Sequence, residues 1–478
     1  MAQTQRLESR SSSSSTASAP AGALADLLSF MKERRINKDV PKDFAAFERT
    51  LHARVMALER EVLTEELAKA DVSTDAIEVG GIVYRRVVRC SDEYVTAAGP
   101  VRVERTLYKD RTREDAPSIC PMELRLGIVG ARWTPLAAQL ATWVVSQMTP
   151  AAAEELFARV GNMTPSKSSL DRLPKQLLWV VEDKREAFEA ALRKDEIIPE
   201  GTAVVAVSLD GVLAPMKDGE RMEKRADAAA AGKLTKGPAG YREVGCGTIS
   251  MYDAEGDLLR VVRMARMPEE KKATLKAMLE AELGAVLKQR PSLRLVKLAD
   301  GAKDNWTFLS QALPPGDEIL DFYHAAEHLS GAIGAAYGEG TIAARYQFDL
   351  KRHALRHDDK GVEVVIRHLV YLAKKHPGNA RIATELQYFR SNRDRMRYAK
   401  AASENLPIGS GVVEAACKTL VTQRLKLSGM RWGHEGGQAI LNFRAWQQSD
   451  RFDRAWALIA ARYKAEVTTI ANVIQLRR

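Results

Sequence analysis

Three acidic residues lie in local sequences that suit metal-dependent chemistry. Asp210 and Asp300 each end an apolar run, and a glycine follows each of them. Glu414 lies a few residues into a predicted helix, after the break at 407–411. Magnesium prefers carboxylate oxygens, and two such ions about 4 Å apart can activate an attacking oxygen and stabilise a leaving one. The three carboxylates therefore predict a two-metal site for phosphodiester chemistry.

The elements that must position these residues alternate strand and helix. Apolar and amphipathic runs predict strands at 203–209, 244–252, 258–264, 294–299 and 318–322, with helices at 268–289 and 305–313. Three strands, a helix, a strand, a helix and a strand is the order of a ribonuclease-H-like mixed sheet. In that order the first and fourth strands are neighbours, so we expect Asp210 and Asp300 to meet at their carboxyl ends. Gly211 and Gly301 would turn the backbone away there, and the Glu414 helix would pack across the edge.

The predicted fold class is α/β, with a helical insertion in the sheet domain and mostly helical N-terminal regions that include a small β element. The predicted regions are a disordered tail at 1–21, a helical region at 22–76, a β-rich segment at 77–131, a helical region at 132–200, the catalytic domain at 201–324 and 403–478, and the insertion at 325–402. Between the first two strands of the sheet, the charged, Ala/Gly-rich stretch 217–240 is predicted to be a mobile loop.

A helix-turn-helix pattern is predicted within the helical region 132–200. Thr149 and Thr164 are each followed by proline, and both are expected to cap helices on either side of a break at Gly161. Such a pair favours DNA binding, while two packed helices of a linker domain are the alternative.

The charge distribution indicates a polyanionic partner. The 478-residue chain carries a net charge of +10, and residues 381–478 hold 17 lysines and arginines against 8 acidic residues. A basic folded region predicts contacts with DNA phosphates, and a solvated helix face is the alternative. The candidates for DNA binding are Lys167, Arg172, Arg393, Arg395, Arg397, Lys418, Arg424, Lys426, Arg431 and Trp432. Trp432 is expected either to stack on a base or to pack in the core.

Compartment signals are few. The four cysteines are scattered without a Cys-x-x-Cys pair, which predicts free thiols in a reducing compartment and no zinc ribbon. No apolar stretch reaches the roughly 18–20 residues that a membrane span needs.

Five motifs resemble the DDE transposases of bacterial insertion sequences, most closely the Kra type. They are Ser208-Leu209-Asp210-Gly211, Leu298-Ala299-Asp300-Gly301, the stretch 321–329, Pro407-Ile408-Gly409-Ser410-Gly411-Val412-Val413-Glu414, and Met430-Arg431-Trp432. The resemblance implies that Asp210, Asp300 and Glu414 are a catalytic triad that holds two magnesium (or manganese) ions. It also implies that Asp321 and His324 form an Asp-x-x-His signature.

The activity implied by this resemblance is nicking of DNA at the terminal inverted repeats of a mobile element. The freed 3′-hydroxyl would then attack target DNA. Because two ends must be held together, at least a homodimer is expected. The implied location is the bacterial cytoplasm, in association with the nucleoid.

Two alternatives remain at this point. His324, Glu327 and His328 also match the His-x-x-Glu-His motif of zinc proteases, although that function leaves the three carboxylates unexplained. If the protein is not a protease, His324 and His328 are either accessory residues that orient DNA or a carboxylate, or structural residues. The second alternative is a transposase-derived DNA-binding protein without catalytic activity, against which the intact triad argues.

Overall fold

The computed structural model of the chain describes residues 22–37, 39–217, 219–233 and 240–470. The tail predicted at 1–21 lies outside the described residues. The chain divides into two compact units, one made of Met1–Ala137, Glu155–Pro165 and Lys464–Arg478 and the other of Ala138–Glu154 and Ser166–Tyr463.

The first unit combines helices with an antiparallel sheet. Its helices are α1 (Ala23–Ile36), α2 (Phe44–Lys69) and α3 (Pro121–Leu126), and its strands are β1 (Ala76–Val79), β2 (Ile82–Thr96), β3 (Gly99–Lys109) and a last short strand, Thr468–Ile470. Strand β1 lies between β2 and the last strand, and β2 pairs with β3. The β2–β3 hairpin turns tightly between Thr96 and Gly99, where Gly99 has a φ of 116°. One antiparallel ladder continues through the whole hairpin, within the β-rich segment predicted at 77–131.

The helix-turn-helix stretch contains two helices, α5 (Pro150–Val160) and α6 (Lys167–Glu182), preceded by α4 (Pro135–Gln147). Thr149 caps α5 as predicted, since its Oγ1 accepts a hydrogen bond from the Ala152 amide at 3.1 Å. The predicted cap of α6 at Thr164 is wrong. The cap lies two residues later, because Ser166 accepts from the Ser169 amide and residues 163–166 belong to no helix or strand.

A five-stranded mixed sheet forms the centre of the second unit. After α7 (Arg185–Lys194), its strands are β4 (Val204–Pro215), β5 (Tyr241–Tyr252), β6 (Leu258–Arg266), β7 (Arg294–Ala299) and β8 (Asp317–Leu320). The spatial order is β6-β5-β4-β7-β8. The β4–β5 and β5–β6 pairs are antiparallel, and the β4–β7 and β7–β8 pairs are parallel. This is the ribonuclease-H-like strand order that the sequence predicts.

The first strand of this sheet continues well past its predicted end. It was expected to stop at residue 209, but β4 pairs with β5 as far as Pro215, so Asp210 lies within the strand. Gly211 therefore makes no turn, and that prediction is wrong. Gly211 pairs with Gly245 across the ladder, and a Cβ at Gly211 would lie 1.8 Å from the Glu243 carboxylate. The missing side chain makes room for Glu243.

The stretch predicted to be a mobile loop contains helix α8 (Gly219–Ala230). The prediction of a loop is wrong for this part, because alanine has the highest helix propensity and four of the last five residues of α8 are alanine. Residues 218 and 234–239 of the predicted loop lie outside the described residues.

Two helices connect the last strands of the sheet, and five more form the insertion. The connecting helices are α9 (Ala273–Gln289) and α10 (Lys303–Gln311); the insertion contains α11 (Phe322–Tyr337), α12 (Ile342–His357), α13 (Gly361–Lys375), α14 (Ala380–Ser391) and α15 (Tyr398–Ser403). Buried residues of the sheet, of α9 and of the insertion belong to one hydrophobic core. The insertion therefore shares the core of the sheet.

The C-terminal part of the second unit returns to the sheet. It contains α16 (Gly411–Ala416), a π-helical turn at Cys417–Thr422, α17 (Gln423–Leu425), α18 (His434–Gln447) and α19 (Phe452–Ala461). Buried residues of α16, the π turn and α18 form a second core with β4 and β5. Among the described helices, none is long and apolar enough to cross a bilayer.

Candidate active site

Asp210 and Asp300 lie side by side on adjacent parallel strands, as the sequence predicts. The β4–β7 register ends with Ser208 opposite Leu298. Each aspartate follows two residues after its member of that pair, Asp210 within β4 and Asp300 directly after the end of β7, so both lie at one level beyond the last pair. The two carboxylates are close enough that the charge of Asp300 raises the pKa of Asp210.

A third aspartate, Asp321, lies at the same level, directly after the end of the next strand, β8. The β7–β8 register pairs Ala299 with Leu320, and the residues that follow are Asp300 and Asp321. The Asp321 amide also donates to the Ala299 carbonyl at 2.9 Å. Three neighbouring strands thus bring one carboxylate each to the same edge of the sheet.

The Asp210 carboxylate is partly buried and has few donors. The Gly211 amide donates to its Oδ1 at 2.6 Å, and the Cys417 thiol lies 3.7 Å from its Oδ2. Burial raises the pKa of Asp210 and the charge of Asp300 adds to the rise, while the Gly211 hydrogen bond and, to a lesser extent, the Lys272 ammonium oppose it. Raised carboxyl pKa values next to a second carboxylate are typical of functional sites, where a cation relieves the repulsion.

The Asp300 side chain is oriented by the start of α10. Its Oδ1 accepts from the Ala302 amide at 3.1 Å and from Asn305 Nδ2 at 3.2 Å. Gly301 is needed for a close approach, because a Cβ there would lie 2.5 Å from the Tyr388 ring. Asp300 is therefore held by two hydrogen bonds, beside the Tyr388 ring of the insertion.

Asp321 connects the sheet edge to the loop before α16. It is completely buried. Its Oδ1 accepts from the His324 amide at 2.7 Å and thereby caps α11, and its Oδ2 accepts from the Ser410 amide. The Ser410 hydroxyl in turn donates to Glu414 Oε1 at 2.8 Å. A chain of hydrogen bonds thus extends from Asp321 to the predicted third catalytic residue.

Glu414 groups with Asp321 and His324 in this structure. One ligand atom from each of the three lies within 4.8 Å of the other two, and within the described ranges this is the one His/Cys/Asp/Glu group of three or more with that geometry. Asp210 and Asp300 lie outside the group. The predicted triad is thus arranged as an aspartate pair on β4 and β7 and as Glu414 beside the third aspartate.

The two histidines of the predicted zinc-protease motif have different partners. His324 lies 3.7 Å from Glu327 and belongs to the group with Glu414. The His328 Nδ1 contacts Glu385, and its ring stacks on Tyr388 at 3.6 Å between centroids. His328 therefore contributes to the packing of α11 against α14, while His324 faces the candidate site.

The residues predicted to bind DNA are placed in three kinds of surroundings. Arg393 and Arg397 pair with Glu363, and Arg395 pairs with Glu318 and lies 4.2 Å above the Trp306 ring. Lys167, Arg172, Lys418, Lys426 and Arg431 are exposed. Arg424 is buried, and its guanidinium lies 5.1 Å from the ring of the half-buried Trp432. The three paired arginines already have carboxylate partners, so the exposed residues are the better candidates for phosphate contacts.

Three residues that sequence analysis did not single out contribute to the site: Ser410, Cys417 and Tyr388. Cys417 follows Glu414 by three residues, and that spacing predicts a shared helix face. No comparable signal marks Tyr388, since it reaches Asp300 from the far end of the insertion.

Two comparisons with known proteins assign no family to the chain. No family model matches it, and no curated protein matches it.

Proposed function

We propose that the protein is a metal-dependent DNA strand-cleaving and strand-transferring enzyme of the DDE transposase class. The observation that supports this most is the pair formed by Asp210 and Asp300, at one level on adjacent parallel strands of a ribonuclease-H-like sheet. Burial and the neighbouring charge destabilise the ionised form of Asp210, which is the environment that a bound cation would stabilise.

The donor set fits divalent cations. Asp210, Asp300 and Glu414 offer carboxylate oxygens, which suit magnesium and manganese, while the His324 imidazole suits transition metals better. When bound there, such ions would polarise the scissile phosphate and lower the pKa of the attacking water. Asp210 and Asp300 would hold the ions at the sheet edge. Glu414 is exposed and oriented by Ser410, so its second oxygen is available to a ligand or to a proton of the attacking group.

The substrate in this proposal is DNA that carries the terminal inverted repeats of a mobile element, together with target DNA. The exposed cations Lys167, Arg172, Lys418, Lys426 and Arg431 would contact its phosphates, and binding should weaken steeply with salt. Synapsis of two ends requires a homodimer or a larger assembly. The same proposal includes a location in the bacterial cytoplasm, in association with the nucleoid.

Cleavage of the DNA that flanks its own gene tests the proposal. The proposal predicts paired inverted repeats in that DNA. A duplex oligonucleotide with one such repeat is incubated with the full chain and magnesium or manganese and resolved on a denaturing gel. We expect nicking at the repeat end, and we expect Asp210→Asn, Asp300→Asn and Glu414→Gln to reduce it to background.

The matched control is Asp257→Asn. Asp257 is exposed in the β5–β6 turn, at the opposite end of the sheet, so its variant should nick like the wild type. Activity that survives Asp210→Asn would refute the catalytic assignment. DNA binding without nicking in any divalent metal would support the inactive DNA-binding alternative, and zinc-dependent peptide cleavage would support the protease.

A further inference from the structure

A basic cleft lies within the second unit, at a distance from the three aspartates. It has a volume of about 810 Å³ and is bordered by α6, residues 429–433, the start of α18 and the end of β4. That volume lies within the range of roughly 300–1,000 Å³ that is typical of small-molecule sites. Five cations line the cleft, against two acidic residues: Lys167, Lys175, Lys217, Arg424 and Arg431, against Asp171 and Glu435.

Arg424 gives the strongest evidence that this cleft binds a ligand, because part of its guanidinium is buried without an acceptor in the described part of the chain. The residue is 1% exposed, and its Nη2 donates to the Val145 carbonyl at 3.0 Å. Its Nε and Nη1 are buried and have no hydrogen-bond partner among the described residues. A guanidinium has five N–H donors, and three of them are on these two nitrogens. Buried donors without acceptors are costly, so their retention indicates an acceptor from outside the chain.

The charge around Arg424 also favours an anion. No carboxylate pairs with it among the described residues, and Arg444 is close enough that burial and this second guanidinium lower the pKa of Arg424 to about 10. Arg444 itself bonds to the Ser146 and Thr419 carbonyls, which are neutral. The Trp432 ring beneath Arg424 supplies an attractive quadrupole and no acceptor for the three N–H groups.

We propose that this cleft binds a phosphate group through Arg424, with Lys217 and Lys167 at its rim. Guanidinium groups bind phosphate with paired hydrogen bonds, and the free Nε and Nη1 donors offer such a pair. The volume of the cleft leaves room for the rest of a nucleotide-sized ligand. This site is independent of the catalytic proposal, since the cleft and its cations remain whether or not the carboxylates cleave DNA.

The position of the cleft indicates where a phosphate of bound DNA would lie. The Trp432 amide donates to the Pro215 carbonyl at 3.0 Å, and the Lys217 amide donates to the Trp432 carbonyl at 2.8 Å. The cleft is thus fixed to the end of β4, about 17 Å beyond Asp210 at roughly 3.3–3.4 Å per residue. If the proposed function holds, the phosphate is one in the backbone of the bound DNA. Otherwise, it belongs to a free nucleotide or to inorganic phosphate.

Calorimetric titration of the full chain with inorganic phosphate, at constant ionic strength, tests the cleft. We expect wild-type protein to bind phosphate, Arg424→Met to bind at least tenfold more weakly, and Lys217→Ala to bind a few-fold more weakly. Arg345→Met is the matched control, because Arg345 is an exposed arginine of α12 that does not line the cleft; it should bind like the wild type. Without phosphate, Arg424→Met should unfold at the same or a higher temperature than the wild type, which a purely structural arginine would not allow.

Binding of a labelled single-stranded oligonucleotide distinguishes the sources of the phosphate. Competition by phosphate and weaker binding by Arg424→Met identify a nucleic-acid phosphate. Unchanged oligonucleotide binding with lost phosphate binding identifies a small molecule. The inference is overturned if the wild type binds no phosphate, or if the cleft variants bind it as the wild type does. Should Arg424→Met fail to fold, Lys217→Ala alone decides. Nicking by the aspartate variants reports on the catalytic proposal separately.

Discussion

Replacement of Asp321 by asparagine tests how the candidate site is held together. Asparagine keeps one carbonyl acceptor but presents an NH₂ donor in place of the second oxygen. In the wild type, both Asp321 oxygens accept backbone N–H groups, one from His324 and one from Ser410. The variant can satisfy only one of them, and the other N–H group then faces a donor in a fully buried position.

The expected cost follows from these two contacts. A hydrogen bond to a charged acceptor contributes about 1.5–3 kcal/mol, and a buried amide left without an acceptor costs about 1–3 kcal/mol. We therefore expect Asp321→Asn to lower the free energy of unfolding by about 1.5–3 kcal/mol, the range that the two estimates share. Loss of the Ser410 contact would also move Glu414, and a displacement of about 1 Å in an active site can cost about 10²-fold in rate.

Urea unfolding followed by tryptophan fluorescence measures the stability change. Six of the seven tryptophans lie in the second unit, so the signal reports on the unit that contains Asp321. Asp317→Asn is the matched control at the other end of β8. Asp317 forms a half-exposed ion pair with Arg294, and we expect its loss to cost about 0–1 kcal/mol without loss of nicking. An Asp321→Asn variant with wild-type stability and wild-type nicking would refute the proposed role of this carboxylate.

Three further changes have expected outcomes. The pKa of Asp210 is raised in the folded protein, so its contribution to stability is present below the unfolded pKa and is lost as the pH rises through the folded pKa. In EDTA, the urea midpoint of Asp210→Asn should therefore be higher than that of the wild type at pH 7 and equal to it near pH 3. An Asp210→Asn variant that is less stable than the wild type at both pH values would contradict this. Gly301→Ala places a Cβ 2.5 Å from the Tyr388 ring and should cost about 1–3 kcal/mol in urea unfolding, whereas Gly284→Ala, in an open helical position, should stabilise by up to about 1 kcal/mol; equal effects would argue against this close approach. Arg451→Met removes a guanidinium from between two buried glutamates and should cost about 3–5 kcal/mol, measured in the same way, and a loss below about 1 kcal/mol would show that the glutamates find other partners.

The order of the strands was predictable from the sequence because each buried strand is a short apolar run between polar breaks. The end of β4 was not predictable in this way. Its apolar run stops at Leu209, but the antiparallel ladder with β5 continues to Pro215, since a half-exposed ladder tolerates polar and small residues. The position of Asp210 at the sheet edge follows instead from the shorter partner, because parallel pairing with β7 ends at Ser208.

Asp321 shows what local patterns indicate and what they leave out. The predicted strand 318–322 contains it, so a third aspartate near a strand end was within reach of the sequence, although only Ile319 and Leu320 form an apolar run before it. The predicted strand ended at 322, however, and that boundary is wrong. The strand stops at Leu320 because the Asp321 side chain caps the next helix. The sequence around Arg424 did not predict that its side chain is buried. Its burial depends on contacts with Val145, which is 279 residues away, and with Trp432, which follows a turn.

Asp321 also explains how a five-helix insertion can precede Glu414 without displacing it. The insertion begins at Phe322, whose amide donates to the Ile408 carbonyl at 2.9 Å, and it ends at the loop that the Asp321 carboxylate binds through Ser410. Both ends of the insertion are therefore fixed at one point of the sheet edge. Changes in the length of the insertion away from that point would leave the Ser410–Glu414 hydrogen bond in place, so the position of Glu414 depends on one buried carboxylate and not on the size of the helical segment before it.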